Sequence, residues 1–563
     1  MTRLTCLLSV LLIATLALAS SPAPPPTPSH DHLLPEAPTA VVTLRSVDDL
    51  HALWAEFAAM VGSEEEAAGL HAALTEGIPG FAEMTDFSLP LAMTFRMPPV
   101  MLQQEPLITL FLPLLPAITD VSEYVDMEDV AVVLIKDGYV ALSADPAYEP
   151  AAEIPALAGG MLDGIVSASA DLGGLISQNR AIIEMGLDSA PMAVAMADTS
   201  GEAEVTPEQV TAMVDAARLV LDSLNRVDLA FDMVSNDLIV RSHTAMAPGS
   251  PLDCGAQPDF AEALALTRLL PPGGLFMQTA AMDLSKLFEV FGGFYAQSMQ
   301  DAMPGLTPEK QEAFEALWSD YMELVGSKMN IMASTARMDD GKFSGSTAVK
   351  VDGAKDLLDE LARHADTFNA LDLGFTYERL PDGEAGGQPV YGWTMDLEGM
   401  FRQSLAAKAG DEDLDLEETA KIMDVLGSMS STIRLCARDD VLLFALDDDP
   451  DGIAEMVRTM ARGDGRVDAR TAALAARAGS ACREVFYGDY GVIMDWILGV
   501  MPQAQDMAVG PIEFEGFWTL DGPDSGMELV VDLDGVRVFL GFMQAMEDEE
   551  CVELSGHEHG HGD

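Results

Sequence analysis

Two stretches of the chain open in the same way, and this repetition limits the fold more than any single motif. Leu33-Leu34-Pro35 leads into the apolar stretch Ala40 to Leu44, then Asp49-Leu50, Leu53, Trp54 and Phe57. Leu269-Leu270-Pro271 leads into Leu275 to Ala280, then Asp283-Leu284, Leu287, Phe288 and Phe291. With slight slippage, each reads as a strand, an Asp at a helix entrance and an amphipathic helix with apolar positions at i, i+3, i+4 and i+7. Two related domains are therefore expected, residues 33–268 and 269–546.

Later segments repeat as well. Val130 to Asp145 predicts a hairpin whose Asp137-Gly138 turn supplies the positive φ values that a two-residue loop needs. Ser431 to Asp447 offers two β-rich runs around Asp439-Asp440. Each hairpin is followed by helical segments, a strand (Met192 to Ala197, and Glu484 to Tyr487), another helix and a meander. The meanders are Val227 to Met246 and Ile512 to Leu533, the second turning at Asp521-Gly522-Pro523-Asp524. An extra helix and two hairpins enlarge the second copy near residues 317–423. These hairpins are Asn330 to Val351, turning at Asp339-Asp340-Gly341, and Phe375 to Met395, turning around Asp382-Gly383. Strands that arrive as hairpins among helices predict an α+β fold of two tandem diverged repeats, each a mainly antiparallel sheet with packed helices. No GxGxxG follows a strand, which argues against a parallel dinucleotide-binding sheet.

The first residues address the compartment. Arg3 and the apolar stretch Leu4 to Ala19, ending in Ala17-Leu18-Ala19, have the form of a secretory signal (residues 1–19) cleaved after Ala19. The stretch is shorter than the roughly 20 residues of a bilayer span, and Pro22, Pro24, Pro25 and Pro26 follow it. Residues 20–32 form a Pro-rich spacer, and residues 547–563 an acidic, His-rich tail. Leu107 to Ile118 is the most apolar later run; Pro113 and Pro116 break it, so it reads as buried strand, and no transmembrane segment is expected after cleavage. The mature chain is expected to be periplasmic or secreted. The Leu-Pro, strand, Asp-led helix opening behind a signal peptide resembles uncharacterised families of exported bacterial proteins with tandem α+β repeats. That resemblance implies export and such repeats; those families have no established activity, so it carries over no functional residue.

Charge narrows the partners. Ninety-two acidic residues face 30 basic ones, a formal net charge of −62. A polyanion would be repelled, which excludes nucleic acid and disfavours anionic lipid. Four cysteines follow the signal, Cys254, Cys436, Cys482 and Cys551, and an oxidising compartment permits two disulfides among them. Cys436 and Cys482 both fall at predicted strands and are paired on that ground, with reduced structural thiols as the alternative.

Candidate chemistry is sparse. His557-Glu558-His559-Gly560-His561 satisfies HExxH formally, but Gly556, Gly560 and Gly562 oppose the helix a zinc protease requires. His557, His559 and His561 suit instead a solvated tail without function, or one that picks up Zn, Cu or Ni, aided by His30 and His32. Asp447, Asp449 and Asp451 precede Gly452 as in a calcium loop, with Glu455 at the ninth position. Arg458 stands at the twelfth, where Glu is needed, so helix capping competes with weak calcium binding there, as at Asp145-Pro146. No cofactor is required by any motif. GxSxG, SxxK and phosphate-loop patterns are absent, and His51, His71, His243 and His364 stand singly. The 34 methionines, Met277 and Met332 among them, suit an adaptable core or a deformable groove for an apolar ligand. The expectation is an exported non-catalytic binding or structural protein of the cell envelope, with an apolar ligand or an envelope protein as partner; a carrier of a lipid or other apolar ligand, or a hydrolase with dispersed carboxylates, are the other readings.

Overall fold

The structure is a computed structural model and describes residues 34–35, 37–60, 80–98, 105–125, 130–152, 158, 161–198, 207–250, 257–283, 307–339, 342–370, 377–395, 432–446, 451–500, 510–522 and 524–537. Helix accounts for 36% and strand for 39%, and every recorded strand pair is antiparallel, so the fold is α+β. Contacts divide the chain into two compact units. Unit 1 holds Met1–Gly186, Leu221–Ser250 and Asp524–Asp563, and unit 2 holds Leu187–Val220 and Pro251–Pro523. No helix of the described residues is long and apolar enough to cross a membrane.

The chain begins with β1 (Ala40–Leu44), α1 (Val47–Met60), α2 (Phe81–Met84), β2 (Leu91–Arg96), β3 (Leu107–Pro113), β4 (Val132–Lys136) and β5 (Tyr139–Ser143). It continues with β6 (Val166–Asp171), α3 (Leu172–Asp198), α4 (Pro207–Ser223), β7 (Leu224–Val234) and β8 (Asp237–Met246). In unit 1 the strands lie in the order β4-β5-β3-β2-β1-β6-β7-β8. Asp137 (φ 53°) and Gly138 (φ 81°) turn β4 into β5, the left-handed pair that matches strand twist. Alternation then sorts the side chains: Phe111, Ala92 and Ala141 pack with Leu34 and Tyr148 on one face. Leu112, Val140 and Leu142 pack with Phe81 and Met84 on the other. Helix α1 adds Leu53 to Leu238 and Val240. Its entrance is held by Ser46, whose hydroxyl accepts from the Asp49 amide at 2.9 Å, so Asp48 and Asp49 supply first-turn charge rather than the cap.

Unit 2 contains α5 (Phe260–Leu266), β9 (Phe276–Ala281), α6 (Pro308–Lys328), β10 (Ile331–Asp339), β11 (Lys342–Lys350) and α7 (Ala354–Ala370). Then come β12 (Tyr377–Arg379), β13 (Gly383–Ala385), β14 (Gln388–Met395), β15 (Thr432–Arg438) and β16 (Val441–Leu446). They are followed by α8 (Asp451–Arg462), α9 (Ala469–Ala478), β17 (Cys482–Asp489), α10 (Tyr490–Val500) and β18 (Glu513–Asp521). The sheet runs β14-β15-β16-β11-β10-β9-β17-β18, with β12 and β13 both on the outer edge of β14. One face is covered by α5, α8 and α9, whose Phe260, Ile453, Met456, Val457 and Leu474 join the cores. Helix α7 covers part of the other face with Leu357 and Leu358. The last described strand, β19 (Asp524–Asp532), returns to unit 1 and pairs along β8 from Asp524↔Ala245 to Asp532↔Asp237.

Four expectations are corrected. Met192 to Ala197 is helical, inside α3, and the strand in that place is β6. A short apolar run does not by itself separate helix from strand, and VSASAD lacks the large β-branched residues that announce one. The hairpin that ends in β14 turns at Gly386-Gly387 (φ 58° and 81°), not at Asp382-Gly383, because two glycines meet the positive-φ demand that Asp-Gly was expected to meet. Asp145 caps no helix: its carboxylate accepts from the Ala147 amide at 2.9 Å in a turn. Cys436 and Cys482 are unbridged and buried in different core clusters, on strands β15 and β17 with four strands of the sheet between them. Burial pushes the two thiols up to about 11 and about 12, which makes them inert packing groups.

Candidate polar cavity and charge row

The first unit carries a polar row across a buried sheet face. Ser143, Thr109, Thr94, Val41, Ser169, Asp228 and His243 stand opposite one another in successive strands from β5 to β8 and therefore share that face. Ser143 and Asp228 have no exposed surface, and Thr94 and Ser169 almost none. The hydroxyls of Thr109 and Ser143 share a hydrogen bond of 2.7 Å, whereas Ser169 Oγ has no partner among the described residues.

At one end of the row is a cavity of about 330 Å³, near the lower limit of small-molecule sites, which run from about 300 to 1,000 Å³. It is lined by Pro35 and Pro38, by Thr94, Arg96, Leu107 and Thr109 of the strands, and by Asp145, Ala147, Tyr148, Glu149 and Pro150. The wall is fixed by the backbone: Ala151 N donates to Leu34 O at 2.7 Å, and Pro35 bridges Pro150. Arg96, the last residue of β2, meets Asp145 at 2.6 Å. Asp145 is itself held, since its amide donates to Ser143 Oγ at 3.1 Å and its other carboxylate oxygen takes the Ala147 amide. The guanidinium is therefore oriented at one edge and half exposed elsewhere. Burial pushes the Tyr148 hydroxyl up to about 12, so it stays a neutral donor or acceptor. Glu149 adds an exposed carboxylate to the rim.

The other end of the row is ionic. Asp228 accepts from Arg226 Nε at 2.9 Å and lies 3.0 Å from His243 Nδ1. His243 Nε2 points towards Asp524 of β19, 4.0 Å away. One row further along, Arg241 donates to Glu528 at 2.7 Å and lies 3.9 Å from Asp232, which also pairs with Arg45 at 3.1 Å. His243 and Arg241 of β8 thus each stand between a β7 acid and a β19 acid. The arrangement can orient an imidazole, as a base is oriented by a buried carboxylate, but the recorded partners of His243 are these two acids.

No family model, curated protein or solved structure matches this chain. The metal ligands expected from the sequence fall mostly outside the described residues: His557, His559, His561, Asp447 and Asp449 all do. Asp451 is described and opens α8 as an exposed first-turn carboxylate. Among the described residues no group of three His, Cys, Asp or Glu side chains converges as for a metal. Sequence reasoning missed Arg96 and the Asp228–His243 pair, and took Asp145 for a cap. Arg96 and Asp145 meet only because β3 lies between β2 and β5, and nothing local in the sequence announces that order.

Proposed function

We propose that the chain is an exported, non-catalytic protein of the cell envelope, built from two diverged copies of one α+β unit, that binds a small polar ligand in the cavity of unit 1. The observation that carries the binding reading is the half-exposed Arg96 guanidinium, oriented by Asp145 over a floor of Thr94 and Thr109. An apolar cargo fits this lining poorly, since Arg96, Asp145 and Glu149 would lose hydration without replacement.

Strand order supports the duplication. Strand β1 lies between β2 and β6, and β9 between β10 and β17. Beyond β2 come β3, β5 and β4; beyond β10 come β11, β16 and β15. Beyond β6 is β7, and beyond β17 is β18. In this alignment Leu34, Pro38, Thr94, Arg96 and Asp145 answer to Leu270, Gly274, Thr335, Arg337 and Asp447. The hairpin β10–β11 takes the place of β2 and β3, so the extra material of the second copy shrinks from residues 317–423 to the stretch between β11 and β15.

Native mass spectrometry of the protein from its own host tests the binding reading. A stoichiometric polar adduct is expected on the wild type and lost from Arg96→Ala; an empty wild type, or an adduct that Arg96→Ala retains, would sink it. Export is tested separately by sequencing the mature N-terminus, expected at Ser20; an intact Met1 in the mature protein would refute it.

A further inference from the structure

A local symmetry centres on one ion pair. Resting on the duplication, β8 and β19 are the same strand of the two copies: each follows a two-residue connection, and they correspond from Asp237 and Asp524 onward. Glu528 is then the counterpart of Arg241, and these two residues lie opposite each other when β8 pairs with β19. An antiparallel pair of equivalent strands that meets at its own counterpart is locally symmetric about that position. Two β8 strands could adopt the same pairing, but Arg241 would face Arg241. Two β19 strands would place Glu528 against Glu528. The mixed pair alone joins opposite charges, Arg241 Nε to Glu528 Oε2 at 2.7 Å with the carboxylate largely buried.

We infer that Arg241 and Glu528 select the partner of the β8 edge: it accepts a β19 strand and refuses a second β8. The flanks reinforce the choice. His243 faces Asp524, and Arg241 is steadied from the β7 side by Asp232 and by the Asp163 carbonyl at 3.2 Å. An edge whose backbone can pair with any extended strand is thereby reserved for this chain's own β19, by like-charge repulsion against the alternative. No ligand contact enters this selection, so it stands or falls apart from the cavity.

The test uses full-length Glu528→Arg and Arg241→Glu chains with labelled peptides spanning residues 522–534. The peptide with Glu at position 528 should bind the Glu528→Arg chain, and the peptide with Arg there should bind the Arg241→Glu chain. Each should win over the other peptide by roughly tenfold in affinity. Equal binding of both peptides, or binding of neither to a folded chain, overturns the inference. Should either reversal fail to fold, Arg241→Gln and Glu528→Gln with their double variant replace it. The double should then lose less stability than the two singles summed, and simple additivity overturns the inference. Failure in these measurements leaves the strand-order correspondence and the Arg96 experiment untouched.

Discussion

The cavity end of unit 1 and the matching end of unit 2 are built on the same strand order, yet one is open and the other closed. In unit 1 Pro38 and Thr94 both line the cavity. In unit 2 the corresponding Gly274 lies so close to Thr335 that a Cβ added to it would be 1.9 Å from Thr335 Oγ1. The absence of a side chain thus brings the backbone down onto the sheet and fills the space. Helices do the same further along. Helix α9 covers unit 2 and brings Arg470 and Arg477 to Glu515, at 3.0 and 3.2 Å. Asp228, the corresponding acid of unit 1, takes its cation from Arg226 on its own strand, together with His243 from β8. Unit 2 is filled by packing where unit 1 keeps a polar face.

The comparison can be broken most directly at the acids. Arg226→Met leaves Asp228 buried beside a histidine alone and should lower stability by about 3–5 kcal/mol. Arg470→Ala should lower it by less than about 1 kcal/mol, because Glu515 is partly exposed and keeps Arg477. Equal losses in urea unfolding would mean that the two acids are not differently held. Next in size is Gly274→Ala, expected to lower stability by about 1–3 kcal/mol through overpacking, against about 0.4–1 kcal/mol for Pro38→Ala, where the cavity leaves room. A Gly274→Ala protein as stable as wild type would show that closure does not depend on the missing Cβ. The smallest effect concerns Glu484, whose pKa burial raises although Gln278 donates to it at 2.6 Å. A carboxyl raised on folding favours the fold while protonated and loses that contribution as pH rises through its folded value. Glu484→Gln should therefore raise the melting temperature near pH 7 and make little difference near pH 4; a gain that grows on acidification would contradict this.

Much of the strand inventory was legible in the sequence because turns have chemical signatures. Asp137-Gly138 marks β4–β5, Asp439-Asp440 marks β15–β16, and the Val227 to Met246 and Ile512 to Leu533 meanders fall on β7–β8 and β18–β19. β6 escaped because its small residues look like loop, and the Met192 run looked like strand because apolarity alone has no period. The site was illegible for another reason. Arg96, Thr109 and Asp145 come from three strands whose neighbourhood is decided by non-local pairing. Asp228 and His243, 15 positions apart, face each other only through the β7–β8 register.

The return of β19 to unit 1 sets an order of events. A ribosome delivers the N-terminus first, and β8 leaves it long before β19, whose pairing partner it is. Until β19 emerges, the β8 edge of unit 1 waits for a partner of very long sequence separation, while hairpins such as β7–β8 can form locally. Completion of this edge therefore comes after the whole of the second unit has been made, and a product cut off before Asp524 would announce itself by that raw edge.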